Sequence, residues 1–292
     1  MRGDAEAHRM VAPGTLASVL ELIAGEPGEW TPIAGGTELM VAHAAGRLPS
    51  SKLVSLWGIP DLRFIDTRPE SLAIGAGSTF TDLRAHMRLA DDFRLLARAA
   101  AWIGSIANQS RATIGGNLVN GSPAADSSPA LLVYDAELEL ISVRGTRRIA
   151  YTDFHTGYKK NVLAPDELLF AIHLPRRFDK HRQYLRKVGT RRAMAISKVA
   201  LGGTALIESG TVSEVRIAAA SVTAFPKRLY GTEDALCGEP IDSGTIAAAR
   251  AALIAEIVPI DDIRSTSEYR RRVAVNLLQE FLTDLQPSEA CR

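Results

Sequence analysis

The chain has 292 residues, a net charge of +1, 46% apolar and 23% charged residues. That is enough chain for a sizeable core and for two domains or more. The near-zero charge gives no overall field for nucleic acid. The basic clusters at Arg144–Arg148, Arg176–Arg182 and Arg270–Arg272 read as solvated faces. Cys237 and Cys291 are the only cysteines and form no CxxC. Two distant thiols cannot hold a cluster that needs four. The six histidines show no HxxxH or HExxH pairing, so no metal site is expected. No apolar run is long enough to span a bilayer and the polar start "MRGDAEAHRM" is unlike a signal peptide, so a cytoplasmic protein is expected.

In chain order, Leu16, Val19, Leu20 and Ile23 put one apolar face on a helix over Thr15–Ala24. "EWTPIAGG" is a short strand running into a glycine turn, "KLVSLWGI" a second strand and "SLAIGAGST" a third. Thr79 or Thr81 can cap a helix reaching Leu89, with Asp82 in its first turn. Phe93–Ala107 reads as another apolar helix. The stretch "ATIGGNLVNGSPAADSSPAL", Ala112–Leu131, has no clear helix or strand period and no Lys, Arg, His or Cys. Irregular segments of about 20 residues inside a domain are usually functional or disordered.

"ALLVYDAELELISV" reads as one long strand, and "RRIAYTDF" as a further extended piece. Pro175 with the basic "RRFDKHR" marks a boundary. "QYLRKVG", "KVALGGTALI" and "VSEVRIAAASV" are three strands separated by turn residues, with Gly210 in a surface turn. The last third is helical: Ile246–Ile257 is Ala-rich, and Ser265–Glu268 forms a capping box for a helix reaching about Leu282.

"IGAGSTF" lies between a strand and a helix as a dinucleotide fingerprint should, but Phe80 stands where the third glycine belongs. A tight strand-to-helix turn is the better reading. GxxxxGK and GxSxG are both absent. "PIAGGTEL" and "TIGGNLVNG" are more informative. Adjacent glycines let successive backbone N–H groups converge on anionic oxygens without Lys or Arg. Thr37 and Asn117 could add side-chain hydrogen bonds, and two such nests suit a diphosphate. Two ordinary tight turns are the alternative.

"AGGTELM" together with "TIGGN…SPAADSSPAL" resembles the FAD-binding medium subunit of the molybdenum hydroxylases, the family of xanthine dehydrogenase and carbon monoxide dehydrogenase. "IGAGST", "DELLFAIHLP", "YLRKVGTRRAMAISKVA", "SVTAFPKR" and "SEYRRRVAVNLL" follow in the family's order, so the resemblance covers nearly the whole chain. It implies an α+β protein with the p-cresol methylhydroxylase-type FAD-binding fold. Two α/β subdomains, residues 1–56 and 57–177, would hold FAD between them. A C-terminal domain, 178–286, would carry a small antiparallel sheet and helices.

The resemblance further implies a first diphosphate loop of Ala34, Gly35, Gly36, Thr37, Glu38 and Leu39, with Ile33 beside it. Ile103 and Gly104 would lie near the dinucleotide. Thr113, Gly115, Gly116, Asn117 and Asn120 would form the second loop, with small side chains so that backbone can approach the ligand. Asp126 would accept hydrogen bonds from the cofactor; helix capping is its plainer reading. Leu169 would pack on the flavin or serve as core. Lys187 would stand near the isoalloxazine, where a cation stabilises anionic reduced flavin, or be a solvated strand lysine.

By the same resemblance FAD carries the redox chemistry and no acid–base triad is needed. The partners implied are a large molybdenum-cofactor subunit and a small 2Fe-2S subunit, with NAD, oxygen, a quinone or another carrier as acceptor. NAD-linked relatives commonly carry acidic residues after the paired arginines, where this chain has Ala193, Met194 and Ala195 behind Arg191 and Arg192. The expectation is that NAD is not the best acceptor. A standalone flavin reductase of the same superfamily and a non-catalytic dinucleotide-binding assembly protein are the competing readings.

Overall fold

A computed structural model describes residues 7–48, 50–191 and 193–286; Arg192 and Cys291 lie outside the described residues. Near the N-terminus, Arg9–Val11, Lys52–Ser55 and Trp30–Ile33 form a parallel sheet in that spatial order. The helix Leu16–Gly25 makes the first crossover. Thr15 caps it, accepting from the Ser18 N–H at 3.2 Å. Its Val19, Leu20 and Ile23 pack on Trp30, Val54, Ile59 and Leu62.

The central sheet is antiparallel throughout, in the order Ile65–Thr67, Ser71–Gly75, Leu168–Pro175, Glu137–Ser142, Gly145–Ala150. Its long central strand returns from far along the chain. The helices Phe80–Ala85, Met87–Asp92, Arg94–Trp102, Ile114–Val119 and Ser128–Val133 contribute to the core on this sheet. The C-terminal sheet runs Arg182–Val188, Val199–Glu208, Thr211–Ala220, Lys227–Arg228, also antiparallel. The helix Ser267–Leu285 packs on it through Phe281, and Ser243–Glu256 packs on that helix, with Ala249, Leu253 and Leu278 in the same core. Asp135 joins the central and C-terminal parts. Its carboxylate accepts from Arg216 at 2.6 Å and Arg228 at 2.7 Å, and also pairs with Arg177.

Several elements differ from the sequence reading. Thr79 is the cap before Phe80, with Asp82 completing a capping box, but the chain turns extended at His86 and restarts as Met87–Asp92. That break brings Leu89 and Phe93 into the core. The following helix stops at Trp102 because Gly104 takes a left-handed φ of +51°. "ALLVYDAELELISV" is half helix and half strand: Ser128–Val133 is helical with all six residues buried, and Glu137–Ser142 is the strand. An element buried all round has no polar face to mark its period. Tyr151–Asp153 is a 3-10 turn. Thr266, one residue beyond Ser265, caps the final helix. No helix among the described residues is long and apolar enough to cross a membrane.

Candidate functional site

The first glycine loop leaves the C-terminal end of the strand Trp30–Ile33, whose Ile33 is buried. Gly36 has φ +74°, a conformation that glycine adopts without strain. Its carbonyl accepts the Met40 N–H at 2.9 Å as the helix Leu39–Ala44 begins. The backbone N–H groups of Gly35, Gly36, Thr37 and Glu38 have no acceptor among the described residues. Four successive unpaired donors around a left-handed glycine leave backbone N–H groups available to an anionic ligand. Glu38 is tied to Lys159 at 2.9 Å.

The second loop is built differently from the nest expected of it. Thr113 is a buried N-cap and Ile114–Val119 is a helix. The Gly115 N–H donates to the Ala76 carbonyl at 2.9 Å, and that of Gly116 to Thr113 Oγ1 at 3.1 Å. Both glycine amides are therefore occupied inside the protein. Small size here serves protein packing: a Cβ on Gly115 would lie 2.5 Å from the Ala76 Cβ, and one on Gly35 only 1.8 Å from the Arg111 carbonyl oxygen. That last contact presses the first loop against the residue preceding the second. Ala34 and Thr113 consequently line one cleft, with Leu56, Trp57, Ile59, Arg63 and Gly77.

From the second loop, hydrogen bonds lead on toward Asp126 and Lys187. Asn117 Oδ1 accepts from Ser127 Oγ at 2.7 Å, and Asn120 ends the helix just before Gly121, at φ +59°. Next to Ser127, Asp126 meets Lys187 Nζ at 2.5 Å, each side chain 10% exposed. Ser197 Oγ donates to the other oxygen of Asp126, and Lys187 also donates to the Trp102 carbonyl at 3.1 Å. Burial pushes the Asp126 carboxyl above the ordinary carboxylate range, and Lys187 and Ser197 pull it back. Asp126 is not a helix cap; the Ser128–Val133 helix has Ser127 at that position. Lys187 is not a solvated strand lysine.

The site residues read from the sequence thus fall in three places. Ala34 and Thr113 line the cleft, with Ile33 and Gly35–Leu39 flanking Ala34 in the chain. Ile103 and Gly104 directly follow Trp102, beside the Asp126–Lys187 pair. Leu169, 4% exposed, packs in the main core opposite Leu140. Sequence reasoning missed Trp57, Arg63, Arg111, Ser197 and the Trp102 carbonyl. Arg111 adjoins the second loop in sequence, but its contact with Gly35 exists only in the fold. The arrangement offers free amide donors on the first loop and a buried, charge-paired cation at Lys187. That suits a long ligand carrying a diphosphate and a redox-active ring, so FAD fits the residues present.

Comparison with known proteins agrees. Residues 6–177 match the model of the FAD binding domain in molybdopterin dehydrogenase, and residues 184–285 that of the CO dehydrogenase flavoprotein C-terminal domain. The xanthine dehydrogenase FAD-binding subunit of Escherichia coli O157:H7 is 29% identical, over 92% of this chain and 93% of its own length. The carbon monoxide dehydrogenase medium chain of Hydrogenophaga pseudoflava is 26% identical, over 93% and 94%. A chain of the reconstituted CO dehydrogenase from Oligotropha carboxidovorans superposes with TM-score 0.90 at 25% identity, covering 96% of each chain. The chain belongs to the FAD-binding family of the molybdopterin dehydrogenases, and its cofactor is FAD.

Proposed function

We propose that this chain is the FAD-carrying electron-transfer subunit of a cytoplasmic molybdenum hydroxylase complex. It works beside a large molybdenum-cofactor subunit and a small 2Fe-2S subunit, receiving electrons from the clusters and delivering them to an external acceptor. The carrying observation is the run of unpaired amides from Gly35 to Glu38, directly after Ala34, which lines a cleft with Thr113. The chain has two cysteines, too few for any cluster of its own. Bound FAD supplies the redox chemistry.

In this reading the Gly35–Glu38 amides hold the diphosphate, Ala34 and Thr113 wall it, and Asn117 and Asn120 border the path toward the ring. Gly115 and Gly116 act through packing, by letting Thr113 and its helix sit against Ala76. Ile103, Gly104 and Lys187 face the isoalloxazine end, and Asp126 fixes Lys187 there. Residues 1–56 and 57–177 form the two walls of the cofactor site, and 178–286 the domain that carries Lys187. Pull-down from the native source with metal analysis tests the assignment. Recovery of a molybdenum chain and an iron–sulphur chain is expected. A chain recovered alone, with flavin, would support the standalone reductase; alone and without flavin, the assembly protein.

A further inference from the structure

Trp57 follows the strand Lys52–Ser55 and is 37% exposed, on the wall of the cleft that also holds Ala34 and Thr113. The Arg111 guanidinium lies 3.8 Å from the centre of its ring, close enough for a stacked cation–π contact. Arg63 stands 6.0 Å from the same ring, but its charge is answered by Asp82, which accepts from Nε and Nη2, each at 2.9 Å. Arg111 has no carboxylate partner among the described residues. Its own carbonyl presses on Gly35, at the start of the run of unpaired amides. A permanent, uncompensated charge is thus held on an aromatic shelf beside an anion-binding loop that has no cation of its own.

We propose that Arg111, held over the Trp57 ring, is the cation of the adenosine-diphosphate half of the ligand site. Its planar fork pairs with diphosphate oxygens that the Gly35–Glu38 amides also bind. Trp57 acts as a positioning residue: it limits the rotamers of Arg111, and so the entropy lost on binding. The inference rests on the dinucleotide reading of the cleft and adds to it the residues that answer the ligand's charge.

The test uses the full-length apo-protein, with ADP and FAD as separate probes, titrated at several salt concentrations. The wild type binds both, with affinity falling as salt rises. Arg111→Gln weakens ADP and FAD binding about tenfold to a hundredfold and flattens the salt dependence. Arg111→Lys recovers part of the loss. Trp57→Leu weakens binding less and keeps the salt slope, since the charge remains. Melting temperatures near the wild-type value show that the variants fold. If Arg111→Gln binds ADP and FAD as the wild type does, or weakens them with the salt slope unchanged, the assignment of Arg111 is overturned while the dinucleotide site stands. Wild-type protein that binds neither probe overturns both.

Discussion

Lys187 and Asp126 are 61 residues apart in sequence, yet their charged atoms meet at 2.5 Å in a site where each side chain is 10% exposed. Lys187 comes from the edge strand of the C-terminal sheet and Asp126 from the segment after the second glycine loop. The pair therefore ties the C-terminal sheet to the cofactor-binding part of the chain. Lys187→Met leaves a buried carboxylate without its cation, which costs about 3–5 kcal/mol in comparable cases. Thermal and denaturant unfolding should show a loss of that order. Asp126→Asn combined with Lys187→Met should recover part of it, because no buried charge is left over. A single variant as stable as the wild type would show that the pair is not coupled to folding.

The glycine contacts predict a graded series. Gly35→Ala places a Cβ 1.8 Å from the Arg111 carbonyl, so it should strip FAD and lower stability. Gly116→Val should also strip FAD, because a Cβ there comes within 2.9 Å of Thr113 Oγ1, the atom that caps the helix. The left-handed glycine of the first loop is Gly36; Gly116 does not have a positive φ. Gly210→Ala is the contrast. Its φ of +83° makes alanine strained by about 1 kcal/mol, but nothing lies within 4 Å, so flavin content should stay full while the melting temperature falls slightly. Flavin absorbance per chain separates these outcomes.

Stability at acid pH should depend on Glu167. It accepts two hydrogen bonds from Arg147, both 2.7 Å, and one from the Ala164 N–H at 2.9 Å. The Arg147 bonds hold its carboxyl below the ordinary glutamate value of 4.5. With a lowered pKa the folded state binds fewer protons than the unfolded one, so this contribution is full above about 4.5 and is lost as pH falls through the native value. Arg147→Ala should lower the melting temperature near neutral pH and narrow its gap from the wild type below pH 4.5. A gap that widens on acidification would reverse the assignment.

Much of this fold was legible in the sequence where one physical signal dominated. Thr15 before an apolar stripe marks the first helix, and the alternation in Thr211–Ala220 marks a strand. The Ser128–Val133 helix was hidden because all its residues are buried and it carries no period. The two glycine loops could be located, but not told apart: whether an amide is free or bonded to Ala76 depends on what the fold brings near it. Contacts between distant residues, such as Gly35 with Arg111, leave no local trace for the same reason.

Acceptor choice should follow the loop after Lys187. Met194 is exposed with φ +54°, and its carbonyl accepts from Arg191 at 2.8 and 3.2 Å. No acidic residue stands in this segment, so a positive local field should disfavour the cationic nicotinamide ring. Turnover of the assembled complex should be faster with oxygen or artificial dyes than with NAD. Met194→Asp should raise the NAD share, and Asp tolerates the left-handed backbone at that position. A preference for NAD that Met194→Asp leaves unchanged would show that this loop does not set acceptor choice.

The proposed site holds a diphosphate-bearing flavin without a covalent bond, through the Gly35–Glu38 amides. Acid treatment of the purified native complex, followed by chromatography of the supernatant, tests it most directly. FAD is expected as the only flavin, close to one per chain, with none left on the precipitate. FMN in its place, flavin that stays attached to the denatured protein, or a complex without flavin would contradict it.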